Sequence, residues 1–413
     1  MSMVSGFSRI TRALGSRNYR LYATGNFLSL IGWWMQRVGV GWLTWQLTES
    51  ATWLGAMACA ELIPSMVFGM PAGALADRFD KLTVIRTAQF LAMGEAAVLA
   101  ALTFAGITTV ELLFALTLFA GIVSAFSQPA RLSFIPSLVP AEDLSAALAL
   151  NSSIFNLARF VGPAFAGIAI LHGGVGAAFL GNAVSYLAFL TSLWLLRVPP
   201  EPPHEPSKRG LLGDMGEGMR YAGAHPGIGP ALLLMLAISL LIRPLPELLP
   251  GFADNVFGRG ADGLAWMTSM MGAGAFAGGL WLAQRGPLEG LTAATIISAI
   301  VFAVAILAFT ATEMFPFALA CIAVAGFATV AYGTGTQTLV QAAVHRTMRG
   351  RVLGIYGLIF RGAPALGALA MGAVADWHGL RPPVAAGAAV CLILLAWAYS
   401  RRRQLARELE AGS

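Results

Sequence analysis

The chain has 413 residues, of which 57% are hydrophobic and 11% charged, and its mean hydropathy is +0.73. No water-soluble core hides that much apolar surface, so the composition excludes a soluble globular protein and points to a polytopic membrane protein. The formal charge of +6 is carried by loops on one side of the spans described next, which makes it a topology signal and argues against nucleic acid as a partner.

The first 20 residues carry Arg9, Arg12, Arg17 and Arg20 without a compact apolar core and a small-residue cleavage site. A cleaved signal peptide is therefore not expected, and the first span serves as the insertion signal. Twelve apolar runs follow, at about 21–47, 52–75, 84–105, 110–128, 146–171, 176–197, 228–253, 263–283, 291–310, 315–342, 352–374 and 383–400. Runs of this length cross a hydrocarbon core of about 30 Å as helices. They lack the short alternating pattern of barrel strands, so the predicted fold class is an all-α membrane protein of twelve transmembrane helices. Cys59, Cys321 and Cys391 lie in these spans without metal-type spacing, and no disulfide framework, metal site or cofactor is expected.

On this scheme 20 of the 26 Lys and Arg residues fall on one side: the N-terminus, the loops at Arg78 to Arg86, Arg131, Arg197, Lys208 to Arg220, Arg285 and Arg346 to Arg351, and the tail. The other side keeps Arg259 and Arg381. That bias puts both termini in the cytoplasm. Between spans 6 and 7, Arg197 to Pro226 is rich in Pro, Gly and charge and reads as a cytoplasmic linker. The expected division is an N-terminal six-helix bundle at 1–197, the linker at 198–226, and a C-terminal six-helix bundle with its tail at 227–413. The halves repeat. Ala76-Asp77-Arg78 matches Ala283-Gln284-Arg285, Arg37 matches Arg243, and Gly162-Pro163-Ala164 matches Ala363-Pro364-Ala365, at offsets of 207, 206 and 201. Two parallel six-helix repeats are the layout of a secondary transporter with its site at the repeat interface.

Arg37, Arg159, Arg243 and Arg361, with Glu61, Glu95 and Glu247, lie inside the spans. An ionisable group at mid-membrane costs about 3 kcal/mol on insertion scales, so these residues are expected to pair or to face one shared cavity. Glu61 and Glu95 are the candidates for proton coupling, the alternative being a permanent ion pair with Arg37 or Arg159. In span 5, Asn151 and Asn156 join Arg159 ahead of a helix kink at Gly162 and Pro163. In SLLIRPLPELLP, from Ser239 to Pro250, Arg243 and Glu247 are four apart and share a face of a continuous helix. Pro244, Pro246 and Pro250 remove backbone donors there and predict a bend near the outer end of span 7. Four cations against three anions suit an anionic or polyphenolic cargo, and Trp33, Trp34, Trp42 and Trp45 offer aromatic surface. Gly272, Gly274 and Gly278 in span 8 are read as helix packing, because no strand precedes them.

Residues Gly73 to Lys81 read GALADRFDK. The glycine permits close helix approach, and Asp77 with Arg78 places opposite charges at the membrane rim. This stretch resembles the loop 2–3 signature of the major facilitator superfamily, with a thinner basic run of Lys81 and then Arg86. Around it, GNFLSLIGWWMQRVGVGWLTWQLTESATWLG and ELIPSMVFGMPAGALADRFDK resemble the branch that contains the enterobactin exporter and the macrolide and drug effluxers. The resemblance implies a cytoplasmic latch in which Asp77 meets the N-terminal end of span 11, where Arg349 and Arg351 lie. Gly162-Pro163-Ala-Phe-Ala-Gly167 is similar to the antiporter signature of span 5. A weaker echo, Gly372-Ala-Val-Ala-Asp376, ends span 11 on the outer side, with no role expected beyond capping.

The resemblance further implies a proton-driven exporter of small amphiphilic or anionic organic molecules, such as siderophores or drugs. It would work by alternating access, as a monomer, in a bacterial inner membrane. Uptake or facilitated diffusion is the alternative within transport, and an intramembrane enzyme or scaffold is the alternative outside it. No Walker loop, His-Glu-x-x-His pair or nucleophile elbow occurs in the chain, which argues against catalysis.

Overall fold

The computed structural model describes residues 14–198, 211–286 and 288–410, with the backbone alone at 70–71, 73–78, 211–215 and 283. The described residues contain no strand. Their α-helices are α1 (Arg17–Thr48), α2 (Ala51–Arg78), α3 (Lys81–Phe104), α4 (Val110–Phe134), α5 (Leu144–Trp194), α6 (Leu211–Ala224), α7 (Ile228–Leu241), α8 (Leu245–Gly251), α9 (Gly260–Arg285), α10 (Leu291–Ala311), α11 (Phe315–Ala343), α12 (Arg349–His378), α13 (Arg381–Ser400) and α14 (Arg402–Leu409). Nine helical stretches among the described residues are long and apolar enough to cross a membrane.

The elements differ from the predicted spans in three instructive places. Helix α5 runs through spans 5 and 6 as one element, with its direction changed at Gly174, whose φ of 73° is open to glycine and strained for other residues. Span 7 is two helices: α7 ends at Leu241, the chain turns through Ile242, Arg243 and Pro244, and α8 starts anew. Pro246 therefore occupies the first turn of α8, where a missing N–H costs nothing. Finally, α4 continues to Phe134, so Arg131 belongs to the last turn of a helix and not to a loop.

The chain divides into two compact units, Met1–Thr48 with Ala60–Ser207, and Glu49–Cys59 with Lys208–Ser413. In the first, α1 lies along α5 on a seam of glycines seven residues apart. A Cβ at Gly25 would overlap Ser192 and Phe189, one at Gly32 would overlap Ser185 and Asn182, and one at Gly39 would meet Phe179. Small residues let helix backbones approach in lipid, where apolar burial offers no drive to associate. Helix α3 packs on α4 and α5, with Asp80 capping its first turn through the Thr83 amide at 2.8 Å. Tyr19, Tyr22, Phe134 and Phe189 fill one end of this unit, and the Tyr19 hydroxyl donates to the Ala147 carbonyl at 2.7 Å.

In the second unit, α9 and α11 approach through Gly274, Gly278 and Gly326, and α7 meets α12 at Gly367 and α13 at Gly387. The Glu49–Cys59 segment packs on α12, where a Cβ at Gly55 would overlap Leu369 and one at Gly372 would overlap Ala51. Just beyond, the Asp376 carboxylate accepts from the Ser50 hydroxyl at 2.7 Å and from the Ala51 and Thr52 amides at 2.6 and 3.2 Å. These amides open α2 and have no partner within their own helix, so the echo motif on α12 supplies the N-cap of α2. Asp376→Ala should lower stability by about 0.5–2 kcal/mol, the range for losing an N-cap. Thermal unfolding in detergent measures this, and a variant melting with the wild type would show that the cap contributes nothing. A second carboxylate does similar work at the tail: Glu410 accepts from the Gly290 and Thr292 amides at 2.8 and 2.7 Å, at the start of α10.

Candidate transport site

In the first unit α1 brings Trp33, Trp34, Gln36 and Arg37 to one stretch. Arg37 Nη1 lies 2.8 Å from each oxygen of Glu61 on α2, and both side chains are 21% exposed. The guanidinium sits 5.6 and 5.7 Å from the Trp33 and Trp34 ring centres, and the Arg159 guanidinium lies 5.7 Å from Trp34 on its α5 side. Phe155 completes the aromatic wall, 6.2 Å from Trp34. The close approach depends on Gly162, where a Cβ would strike that of Trp34. Trp34 Nε1 is buried and has no hydrogen-bond partner among the described residues. Two cations, an unsatisfied indole N–H and one carboxylate thus converge on a patch of aromatic surface. A partly exposed ion pair is weak enough to be exchanged for another partner, while aromatic faces hold cations or planar cargo.

Glu95 is placed differently. It is 4% exposed, and both its oxygens accept from Gln36 Nε2, at 3.1 and 3.0 Å. Asn182 donates in turn to Gln36 Oε1 at 2.8 Å. Asn151 joins a third group: it accepts from Asn26 at 3.3 Å, and Asn26 accepts from Arg131, which also bonds Gln89 at 2.6 Å. Asn156 is half-buried and bonds the Ser152 carbonyl of its own helix at 2.9 Å, so it stands apart from these groups. Sequence reasoning missed Gln36, Asn182, Asn26 and Gln89. The available signal was an uncharged amide inside an apolar run, which must find partners just as a charge does.

In the second unit Arg243 lies in the turn between α7 and α8. Its Nη1 donates to the Phe360 carbonyl at 2.8 Å and reaches Ser239 Oγ at 3.4 Å, and its guanidinium lies 3.8 Å from the Phe360 ring centre. The Phe360 carbonyl is available because Pro364, four residues on, has no N–H to give it. Phe360 stacks on Tyr356 at 5.6 Å and 14°, and the Tyr356 hydroxyl donates to the Gly333 carbonyl at 2.9 Å. The break between Arg243 and Glu247 removes the expected shared helical face; Glu247 is half-buried in the first turn of α8. Arg361, beside Phe360, is exposed.

The latch residues fall into two groups. The side chains of Gly73, Asp77 and Arg78 lie outside the described residues. Lys81 donates to the Ser133 carbonyl at 3.3 Å, and Arg86 donates to the Leu193 carbonyl at 2.7 Å while lying over Trp194 at 4.4 Å. Arg349 opens α12, and Arg351 pairs with Glu217 of α6 at 2.8 Å. The segment read as a plain polar linker therefore supplies a helix that occupies one of the predicted receiving arginines.

Long apolar helices with arginines, carboxylates and amides gathered inside them define a multi-pass membrane protein. The chain belongs to the transmembrane secretion effector family of the major facilitator superfamily, whose model matches residues 12–411. Similar proteins include the staphyloferrin A transporter of Staphylococcus aureus, 26% identical over 87% of this chain and 90% of that one. The enterobactin exporter EntS of Shigella boydii is 26% identical over 90% and 88% of the two chains, and the multidrug efflux pump Tap of Mycolicibacterium fortuitum 24% over 83% and 85%. Among solved structures, a bacterial homolog of the human lysosomal transporter Spinster, inward-facing and unoccupied, has a TM-score of 0.69 at 18% identity, covering 95% of this chain and 97% of that one. A POT family transporter in complex with 5-aminolevulinic acid has a TM-score of 0.76 at 12% identity, covering 94% and 97%. These two likenesses establish the fold.

Proposed function

We propose that the protein is a proton-coupled exporter of small anionic or amphiphilic organic molecules, siderophore-like compounds or drugs, working by alternating access. In this reading twelve spans form two six-helix bundles, 1–197 and 227–413, joined by the 198–226 linker. The protein is a monomer in a bacterial inner membrane with both termini cytoplasmic. The Arg excess on one side of the spans supports the orientation, and the named relatives support the cargo class.

The observation that carries the reading is the Arg37, Glu61, Trp34 and Arg159 group. Without cargo, Glu61 neutralises Arg37, so the empty carrier can change conformation without exposing a bare charge to lipid. A cargo oxyanion displaces Glu61 from Arg37, takes the free Trp34 N–H, and lays its aromatic or apolar part on the tryptophan faces. Glu95, buried and bonded by a neutral amide, carries the proton that moves in the opposite direction. The test is accumulation of enterobactin, staphyloferrin A or ethidium in everted membrane vesicles that contain the protein. At least one probe should accumulate only while a proton gradient stands. Accumulation that survives an uncoupler would remove proton coupling, and failure to move any of the three would remove this cargo class.

A further inference from the structure

Glu95, Gln36 and Asn182 form a buried line across α3, α1 and α5 that ends at the half-buried Ser185. Gln36 is 8% exposed and Asn182 0%. The Ser185 hydroxyl lies 3.1 Å from Asn182 Oδ1 and 2.7 Å from the Asn182 main-chain carbonyl. Asn182 Nδ2 points at Gln36 Oε1, and Gln36 Nε2 points at the carboxylate. Both amide donors in the line are therefore aimed toward Glu95. Space for it comes from Gly32, where a Cβ would overlap both Ser185 Oγ and Asn182 Oδ1.

A chain of primary amides has two self-consistent polarities, because an amide turned over exchanges its donor for its acceptor. With Glu95 ionised, the polarity is the one described. When Glu95 takes one proton from water, its O–H becomes a donor and needs an acceptor. Gln36, turned about its terminal bond, presents Oε1 to that O–H and Nε2 to Asn182 Oδ1. Asn182, turned likewise, presents Nδ2 to Ser185 Oγ, whose own hydrogen stays on the Asn182 carbonyl. In either state a donor meets an acceptor at both the Glu95–Gln36 and the Gln36–Asn182 link, and the amides carry no net proton themselves.

We propose that Gln36 and Asn182 are positioning residues whose paired amides reverse direction with the protonation of Glu95, so that one buried site holds the carboxyl equally well charged or neutral. This rests on the proton-coupled reading, which needs a carboxyl stable in both forms. Of the neighbouring titratable and charged groups, Arg37 on α1 is engaged with Glu61 on α2 and Arg131 on α4 with Gln89 and Asn26, while Tyr186 on α5 faces the line itself, beside Asn182 and Glu95.

Infrared difference spectra of the full chain in lipid, between about pH 5 and pH 9, test this without any cargo. A protonated-carboxyl stretch should be present and should vanish in Glu95→Gln. Gln36→Leu should shift that band by removing its hydrogen bond, and Asn182→Leu should shift it too, although Asn182 does not touch the carboxyl. A band absent from the wild type, or unmoved in Asn182→Leu when that variant melts normally, overturns the relay; if Asn182→Leu fails to fold, Asn182→Ser takes its place. Enterobactin transport in the same vesicles separates the two ideas. A shifting band with gradient-independent transport keeps the relay and removes proton coupling, whereas gradient-driven transport with an unmoved band does the reverse.

Discussion

Glu61→Gln should abolish uphill export of cargo while leaving cargo-for-cargo exchange intact. The reason is the Arg37 pairing at 2.8 Å in a setting where both partners are 21% exposed. Removing the carboxylate charge leaves Arg37 uncompensated whenever the site is empty, and an uncompensated cation opposes the conformational return through lipid-flanked helices. During exchange the site always carries an anion, so that penalty does not arise. The same substitution removes the internal competitor for Arg37, so the KM for an anionic cargo should fall severalfold, and net turnover should fall at least about tenfold, corresponding to 1.4 kcal/mol on the rate-limiting step. Counterflow and net efflux of enterobactin in proteoliposomes distinguish the two modes. Uphill export at the wild-type rate in Glu61→Gln would take Glu61 out of the mechanism.

Gly326→Val should be among the most damaging single changes in the second unit. A Cβ there would lie against the Met271 carbonyl, and reciprocally a Cβ at Gly274 would lie against the Ala323 carbonyl. The obstacle is backbone on a facing helix, which cannot move aside as a side chain can, so the two helices must separate. Overpacking a well-fitted core costs about 1–3 kcal/mol, and forcing helices apart adds lost contacts along their length. Gly354→Ala on α12 is the control, because nothing lies within 4 Å of its added methyl. The control should melt at or slightly above the wild-type temperature, while Gly326→Val should melt several degrees lower or fail to accumulate in the membrane. Equal melting temperatures would mean that the α9–α11 contact is not held by these glycines.

Much of the architecture is legible in the residue pattern because apolar length is a direct physical requirement of spanning hydrocarbon. Boundaries were harder to read where polar residues enter a helix. Helix α1, with Asn26, Gln36 and Arg37 among its buried or half-buried residues, is not one of the nine apolar stretches, yet it carries most of the candidate site. Arg131 looked like a loop residue because a charge usually marks a span end; its guanidinium instead finds Gln89, Asn26 and the Phe189 ring, 5.1 Å away. The prolines of SLLIRPLPELLP lie at the break between α7 and α8, but spacing alone could not reveal that Arg243 fills the hydrogen-bonding gap left by Pro364 on another helix. Such pairings depend on which helices are neighbours, and one chain's spacing does not contain that information. The amide line from Ser185 to Glu95 was hidden for the same reason.

The capping of α10 by Glu410 has a practical bearing on handling the protein. The short helix before it buries Leu405 and Leu409, so the tail is folded down as part of the second unit. Trimming it to improve crystals, or fusing a rigid reporter directly behind Glu410, would strip the Gly290 and Thr292 amides of their acceptor. A purification handle is better placed at the other terminus, or behind a flexible Gly/Ser spacer long enough to leave that carboxylate seated.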